Sequence, residues 1–318
     1  MVDWESHKQE IIKFAKEGKS SKDIAKTLSK IYPEITRDKD RSVRNAIQRW
    51  RENNEFEIKQ EPAKVLLFDI ETAPMITYAW NRKPSYINDN HIIEGYYVIN
   101  WAAKWLFDEE MMSGVVTPEE SKNRDDERIV RKLWELLNEA DIVIAHYGDK
   151  FDVKMMNGRF LKHGMNPTMP YKTIDTKKAA SHAMRLEANN LDYIAKELGL
   201  GQKHDTNFQL WKDCMAGDEE ALERMDEYCQ QDVRILEDVY IKLRPFVRSH
   251  PNLGLFINKG YKTCPACGST DLKKEGRYQT TVNIYDAYRC QDCGSITRNR
   301  KHALSKEHKQ NITSSTPR

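Results

Sequence analysis

Apolar residues recur at helical spacing through the first fifty positions, then give way to short unbroken apolar runs separated by helical stretches. Three helices are predicted in the first part. One, from about Asp3 to Lys16, sets Trp4, Ile11, Ile12 and Ala15 on one side and ends at Gly18. Ser20 or Ser21 can cap the second, which carries Ile24, Ala25, Leu28 and Ile31 inward until Pro33. The third, from about Arg41 to Glu52, turns Val43, Ile47 and Trp50 inward. Asn53 to Pro62 is polar and acid-rich and reads as a linker. Beyond it Val65 to Phe68 predicts a buried strand, Tyr96 to Leu106 further sheet and Asp141 to His146 another buried strand. Helices are expected at Arg124–Ala140, after Asp152 to His163, and at Glu219–Leu243. Strands alternating with helices predict an α/β core over residues 62–248.

The first of these strands ends in chemistry. Asp69 and Glu71 are two positions apart, and strand side chains alternate faces, so both point the same way. Two carboxylates side by side on a buried sheet repel, and loss of water adds to the cost of ionising both. A divalent cation between them removes that conflict. Tyr228 and Asp232 are four apart on a predicted helix and share a face. Asp152 follows Phe151 just beyond the strand that ends at His146. Ion pairs and helix caps are the bland alternative for single acids; the ordered set of Asp69, Glu71, Asp152 and Asp232 argues against it.

Composition narrows the class. With 318 residues, 39% hydrophobic and 31% charged, the chain is sized for one large core and one or two small modules. No apolar stretch approaches the ~18–20 residues of a membrane span, and the charged start is unlike a signal peptide, so a cytoplasmic location is expected. The net charge of +2 conceals basic ends around an acidic middle, the distribution of a protein that grips phosphates at its ends and cations at its centre. Arg41, Arg44, Arg49 and Arg51 lie in the third helix of residues 1–55, and Gly18 to Leu28 resembles the second helix of a helix-turn-helix domain, which implies DNA contacts by those arginines, a small three-helix interaction module being the alternative.

Four of six cysteines form two C-x-x-C-G knuckles, Cys264/Cys267 and Cys290/Cys293, with 22 residues between them. That spacing predicts a closed Cys₄ site for one structural Zn²⁺ in a ribbon over residues 259–300. So short a module, poor in apolar residues, needs the ion to fold. Its lysines, arginines and tyrosines suit either nucleic acid or a protein partner. Residues 301–318 are polar and expected to be disordered.

On these residues the chain resembles the DEDDy branch of the DEDD exonuclease superfamily, whose fold is ribonuclease-H-like, a mixed sheet flanked by helices. Phe68-Asp69-Ile70-Glu71-Thr72 resembles the first motif, His146 through Phe151-Asp152 the second, and Tyr228-x-x-x-Asp232 the third. The likeness extends to exonucleases related to the proofreading domain of family B polymerases, many carried by bacteriophages. It implies a 3′–5′ exonuclease acting on nucleic acid, DNA rather than RNA, with two Mg²⁺ or Mn²⁺. Asp69 would bridge both ions, Glu71 and Asp232 complete one, and Asp152 help hold the other. Tyr228 would orient the attacking water, since a tyrosine's ordinary pKa of about 10 makes it a poor base at neutral pH. Thr72, His146 and Phe151 would meet the substrate, with a structural hydrogen bond the alternative for His146. Tyr147 stands where second motifs often carry Asn. A replication or recombination protein is a further expected partner. A structure-specific endonuclease of the same fold and a DNA-binding regulator with a vestigial core are the rival readings. Asp175 is expected as a helix cap, Trp211 as core, Cys214 and Cys229 as ordinary thiols, and Lys203 and His204 as possible phosphate contacts.

Overall fold

A computed structural model describes residues 2–16, 19–36, 38–52, 62–201, 206–257 and 261–313. Two compact units divide the chain, Met1–Glu61 and Pro62–Arg318. The second unit includes both the stretch 62–248 and the cysteine-bearing stretch 259–300. Gly18, Lys203, His204 and the side chain of Arg51 lie outside the described residues.

The first unit holds three helices, α1 (Lys8–Lys16), α2 (Ser21–Leu28) and α3 (Asp40–Glu52). Ile11, Ile24, Leu28, Val43 and Trp50 form its centre together with Ile35 from the α2–α3 connection. Two expectations shift. Helix α1 starts later than Asp3 because Asp3 accepts hydrogen bonds from Glu5 N–H (3.1 Å) and the Ser6 hydroxyl (2.7 Å), which favours a turn. Ile31 is exposed rather than inward: the chain tightens after Leu28, with Ile31 N–H donating to the Leu28 carbonyl, and rotates that side chain off the helical face. Ser20 caps α2, accepting from Asp23 N–H at 3.2 Å.

The second unit is built on a five-stranded sheet of β1 (Val65–Ala73), β4 (Tyr97–Trp105), β5 (Met112–Val115), β6 (Ile142–Ala145) and β7 (Lys172–Asp175). A small hairpin, β2 (Ile76–Thr77) with β3 (Ile92–Glu94), stands beside it. The sheet order is β5-β4-β1-β6-β7. Strands β4 and β5 run antiparallel to their neighbours, while β1, β6 and β7 are mutually parallel. Even positions Leu66, Phe68 and Ile70 of β1 pack into one apolar cluster; Val65 and Leu67 pack into the other. The first face is covered by α5 (Glu127–Glu139), through Ile129, Val130, Leu133 and Leu137, and by Met156 and Phe160 of α6 (Asp152–Lys162). The second face is covered by α7 (Thr176–Ala183), α8 (Leu191–Glu197) and the long α10 (Glu219–Leu243). Helix α9 (Phe208–Met215) packs on the start of α10.

The helix expected from Arg124 begins at Glu127, after a separate α4 (Pro118–Asn123). The interruption has a cause. Asp126 is drawn inward, where it accepts from Val98 N–H at 2.8 Å and pairs with Arg159 and His163. Arg124 takes a left-handed backbone to allow it, φ 52°.

Strands β8 (Leu272–Gln279), β9 (Ile284–Cys290) and β10 (Ile296–Arg298) make a three-stranded antiparallel sheet around the cysteines. The backbone joins it to the core side: Leu253 N–H donates to the Pro265 carbonyl at 2.8 Å. A short helix α11 (Lys306–Gln310), capped by Ser305, occupies the stretch expected to be disordered. The hydroxyl of Ser305 accepts from His308 N–H at 3.1 Å and stabilises a turn that composition alone does not reveal.

Candidate metal centre

Strand β1 outruns its parallel neighbour. Its pairing with β6 stops at Leu67, so Asp69 and Glu71 lie past the carboxyl end of β6, beside the opening left by the sheet. Crevices at the carboxyl ends of parallel strands are where α/β sheets take ligands. Across β4, Asp69 faces Ala102 and Glu71 faces Asn100. Ala102 is fully buried and small, which lets α10 approach this face closely. A register shift between Glu71 and Thr72 re-aims the strand immediately after the second acid. Thr72, expected at the substrate, is half-buried there.

Helix α10 brings the third acid. Asp69, Glu71 and Asp232 present ligand oxygens all within 4.8 Å of one another. Asp232 is buried, and Tyr228 one turn earlier is half-buried, its ring edge-on to Trp211 at 6.4 Å. The rotation of α10 is set by polar anchors that sequence reasoning missed. Buried Asn100 donates to Asp226 at 3.3 Å, and Asp226 also accepts from Ser113 at 3.1 Å and Gln230 at 2.7 Å. These bonds tie α10 to β4 and β5 on the side opposite no apolar pattern marks.

Cys229 was read as an ordinary thiol, yet it lies against the cluster. Its Sγ–H donates to the Asp69 carbonyl at 3.5 Å, with the Asp69 carboxylate at 3.8 Å. Burial, then the charges of Asp69, Glu71 and Asp232, push this thiol well above its ordinary range. Its sulfur is not among the ligand atoms that converge there, so the cluster is a set of oxygen ligands.

Asp152 stands apart from that trio and is not within the same distance of all three. It opens α6 and is buried. Burial pushes its carboxyl up to about 7 despite hydrogen bonds from its own and the Ile70 backbone N–H, and Asp175 adds to the rise. The loop that delivers it is tightly specified. A Cβ at Gly148 would meet that of Ala145 at 2.4 Å. Tyr147 adopts φ 72°, a left-handed conformation that bulky residues enter at a cost and Asn enters readily. Its N–H donates to Asp175 at 3.1 Å, and Asp175 also caps α7 through Lys178 N–H at 3.0 Å. The Tyr147 ring is 40% exposed with Lys177 Nζ 4.1 Å from its centroid. Phe151, expected to meet substrate, is exposed beside Asp152.

His146 has both ring nitrogens engaged. Nδ1 lies 2.9 Å from the Thr176 hydroxyl and Nε2 2.9 Å from the Asn189 carbonyl. A carbonyl can only accept, so Nε2 carries the proton and the ring braces β6 against the α7–α8 segment. Both ring nitrogens thus meet partners within the chain. In the first unit Arg41 is exposed, Arg44 pairs with Asp40 at 3.6 Å and Arg49 with Glu5 at 3.5 Å. Exposed pairs of this kind are weak and leave both guanidiniums available to phosphate.

The cysteines converge on a second cluster. Cys264 and Cys293 have sulfurs 3.6 Å apart, as do Cys267 and Cys290, and all four lie within 4.8 Å of one another. Tetrahedral thiolates about 2.3 Å from one Zn²⁺ stand about 3.8 Å apart, so this donor set fits zinc and not a disulfide.

A family model described as RNase_H superfamily matches residues 95–244. The domain is thus RNase H-like, a five-stranded mixed sheet flanked by helices, followed by a Cys₄ cluster compatible with a zinc ribbon. The matched stretch contains Asp152, Tyr228 and Asp232 but begins after Asp69 and Glu71. No curated protein matches the sequence. Among solved structures, the family B DNA polymerase from the hyperthermophilic archaeon Pyrobaculum calidifontis is similar at 15% identity and TM-score 0.44, covering 71% of this chain. The chain spans 32% of that polymerase. Among the described residues, no helix is long and apolar enough to cross a membrane.

Proposed function

We propose that the protein is a 3′–5′ exonuclease of the DEDDy type that hydrolyses phosphodiester bonds, of DNA in preference to RNA, and releases nucleoside 5′-monophosphates. The RNase H-like domain supports a nuclease. The observation that carries the finer reading is the meeting of Asp69, Glu71 and Asp232 within 4.8 Å at the carboxyl edge of the sheet, with Tyr228 one helical turn before Asp232.

Three hard carboxylates and no ionised thiol form a donor set suited to Mg²⁺ or Mn²⁺. When bound, two such ions polarise the scissile phosphate and lower the pKa of water. The chain's own residues do the positioning. Asp69 and Glu71 are held on a rigid central strand, so their oxygens stay fixed as the substrate arrives. Tyr228, braced by Trp211, offers its hydroxyl to orient the attacking water. Asp152, buried at the start of α6, would help hold the second ion. Thr72, Tyr147 and Phe151 line the approach as contacts for the strand terminus. Arg41, Arg44 and Arg49 give the first unit a DNA-binding face of helix-turn-helix type, and the cysteines hold one structural Zn²⁺.

Labelled DNA and RNA oligonucleotides, single- and double-stranded, incubated with Mg²⁺ or Mn²⁺ test the proposal. A 5′ label should reveal a descending ladder and a 3′ label an immediately released mononucleotide, and both should vanish in Asp232→Asn. Cleavage of circular DNA would favour a structure-specific endonuclease; no metal-dependent cleavage of any substrate would leave a DNA-binding regulator.

A further inference from the structure

The cysteine-bearing sheet borders a groove of about 750 Å³ that takes no part in the carboxylate centre. Lys262, Arg298, Arg300 and Lys301 line it, together with Tyr288 and Leu255, and among the described residues no carboxylate does. We propose that this groove is a second nucleic-acid site, one that holds a single-stranded phosphodiester segment.

The acids of the surrounding sheet form their salt bridges with other cations, and Asp286 acts on Lys262 only through its charge, beyond salt-bridge distance. Strands β8 and β9 carry two acids, and both are spent elsewhere: Glu275 pairs with Arg289 at 2.7 Å, and Asp286 with Lys274 at 2.8 Å. Neither of those cations lines the groove. Among the described residues, Lys262, Arg298, Arg300 and Lys301 have no acidic partner within salt-bridge distance. Lys262 is instead held by an aromatic residue, its Nζ donating to the Tyr288 hydroxyl at 2.6 Å and lying 4.4 Å from the ring centroid. Asn299 donates to the same hydroxyl at 3.4 Å. Arg298 stacks 4.2 Å from the Tyr285 centroid and donates to the Asn299 carbonyl. Two of the four cations are therefore pre-positioned without being discharged, which lowers the ordering cost of meeting an anion.

The shape and mixture select among anions. A groove of this volume is far larger than a lone phosphate, and it pairs cationic walls with an exposed Leu255, 66% accessible, and the Tyr288 ring. Alternating charge and apolar or aromatic surface is what a single strand offers and needs, since its bases have free faces while those of a duplex are stacked. An acidic peptide supplies the charge but not the flat apolar faces.

Binding of a fluorescent dT10 to the full-length, zinc-loaded Asp232→Asn protein tests this without turnover, so the result stands apart from the nuclease reading. Arg300→Glu with Lys301→Glu reverses two exposed groove charges; Lys306→Glu with Lys309→Glu makes the same change in net charge outside the groove. The groove variant should bind at least tenfold more weakly than the control, and the slope of log K against log salt should flatten by about 1.4, or 0.7 for each lost phosphate contact. Photocrosslinking of 4-thiothymidine in the same oligomer should map to the segment from Asn252 to Lys301. Equal affinities and slopes for the two variants, or crosslinks confined to other segments, overturn the proposal. So does displacement of dT10 by poly-glutamate of equal charge at the same concentration as by unlabelled dT10, which would assign the groove to an acidic protein segment.

Discussion

The carboxylate trio and the cysteine cluster are both places where like charges are gathered, and they are built in opposite ways. The trio is mounted on a sheet buried on both faces, with α10 and α5 packed against it. The cysteines are themselves the centre of their module: Cys264, Ala266 and Cys290 are its buried cluster, and β8 is exposed along nearly its whole length. One candidate site is thus carried by a fold built around it. In the other the candidate ligands are themselves the centre of the fold.

Stripping zinc from the ribbon is expected to have the largest effect. Binding energy of about 10–16 kcal/mol, as in zinc-finger peptides, is folding energy there. A zinc chelator, or Cys264→Ser, should abolish hydrogen-exchange protection in β8, β9 and β10 while β1, β4 and β6 stay protected. Zinc-free protein with a protected ribbon would erase the contrast.

Removing an acid from the trio should do the reverse. Asp69→Asn is expected to slow cleavage by about 10³-fold or more, corresponding to several kcal/mol of lost transition-state stabilisation. Thermal stability should hold or rise, because one of the repelling charges is gone. A marked drop in melting temperature with activity retained would make the trio structural.

The core's own polar anchor is elsewhere. Asp126 is buried between Val98 N–H, Arg159 and His163. Asp126→Ala leaves the Arg159 guanidinium buried without its partner and should cost about 3–5 kcal/mol in urea unfolding. A cost below about 1 kcal/mol would show that water reaches this pair. Tyr228→Phe is milder, expected to reduce the cleavage rate about ten- to a hundredfold, the worth of one hydrogen bond to a charged group. An unchanged rate would remove the hydroxyl from the reaction.

What the sequence made legible follows the same divide. Asp69 and Glu71 could be paired from strand alternation, Tyr228 and Asp232 from helical spacing, and the cysteines from their knuckles, because each relation is local. The bounds of α10 were legible for the same reason. The standing of Asp152 outside the trio, the clamp on His146 by Thr176 and Asn189, and the contact of Cys229 with Asp69 were not. Each depends on which elements the sheet order brings together, and no periodicity encodes that. Asn100 and Asp226 escaped notice because a buried polar pair looks like any two polar residues until both elements are in place. Ser305 escaped for the opposite reason: a cap is a local signal, but it stood in a segment dismissed on composition.

The smallest expected effect falls at the junction of the two regions. His250 follows α10 and precedes the segment whose Leu253 bonds to Pro265. Its Nε2 lies 2.8 Å from the Tyr240 hydroxyl, and Nδ1 lies 2.7 Å from the Pro251 carbonyl, so Nδ1 carries the proton and Nε2 accepts. Burial lowers its pKa below the ordinary 6.5, Arg244 lowering it further against the Pro251 carbonyl. The unfolded chain thus takes up a proton near pH 6.5 while the folded chain resists. Stability from this group is present in full above that pH and falls as the pH drops toward the folded-state pKa. His250→Asn should remove that slope from urea midpoints measured between pH 7.5 and 5, as conditions of about those values bracket the ordinary histidine pKa. If the slope persists, the junction does not sense protons through His250.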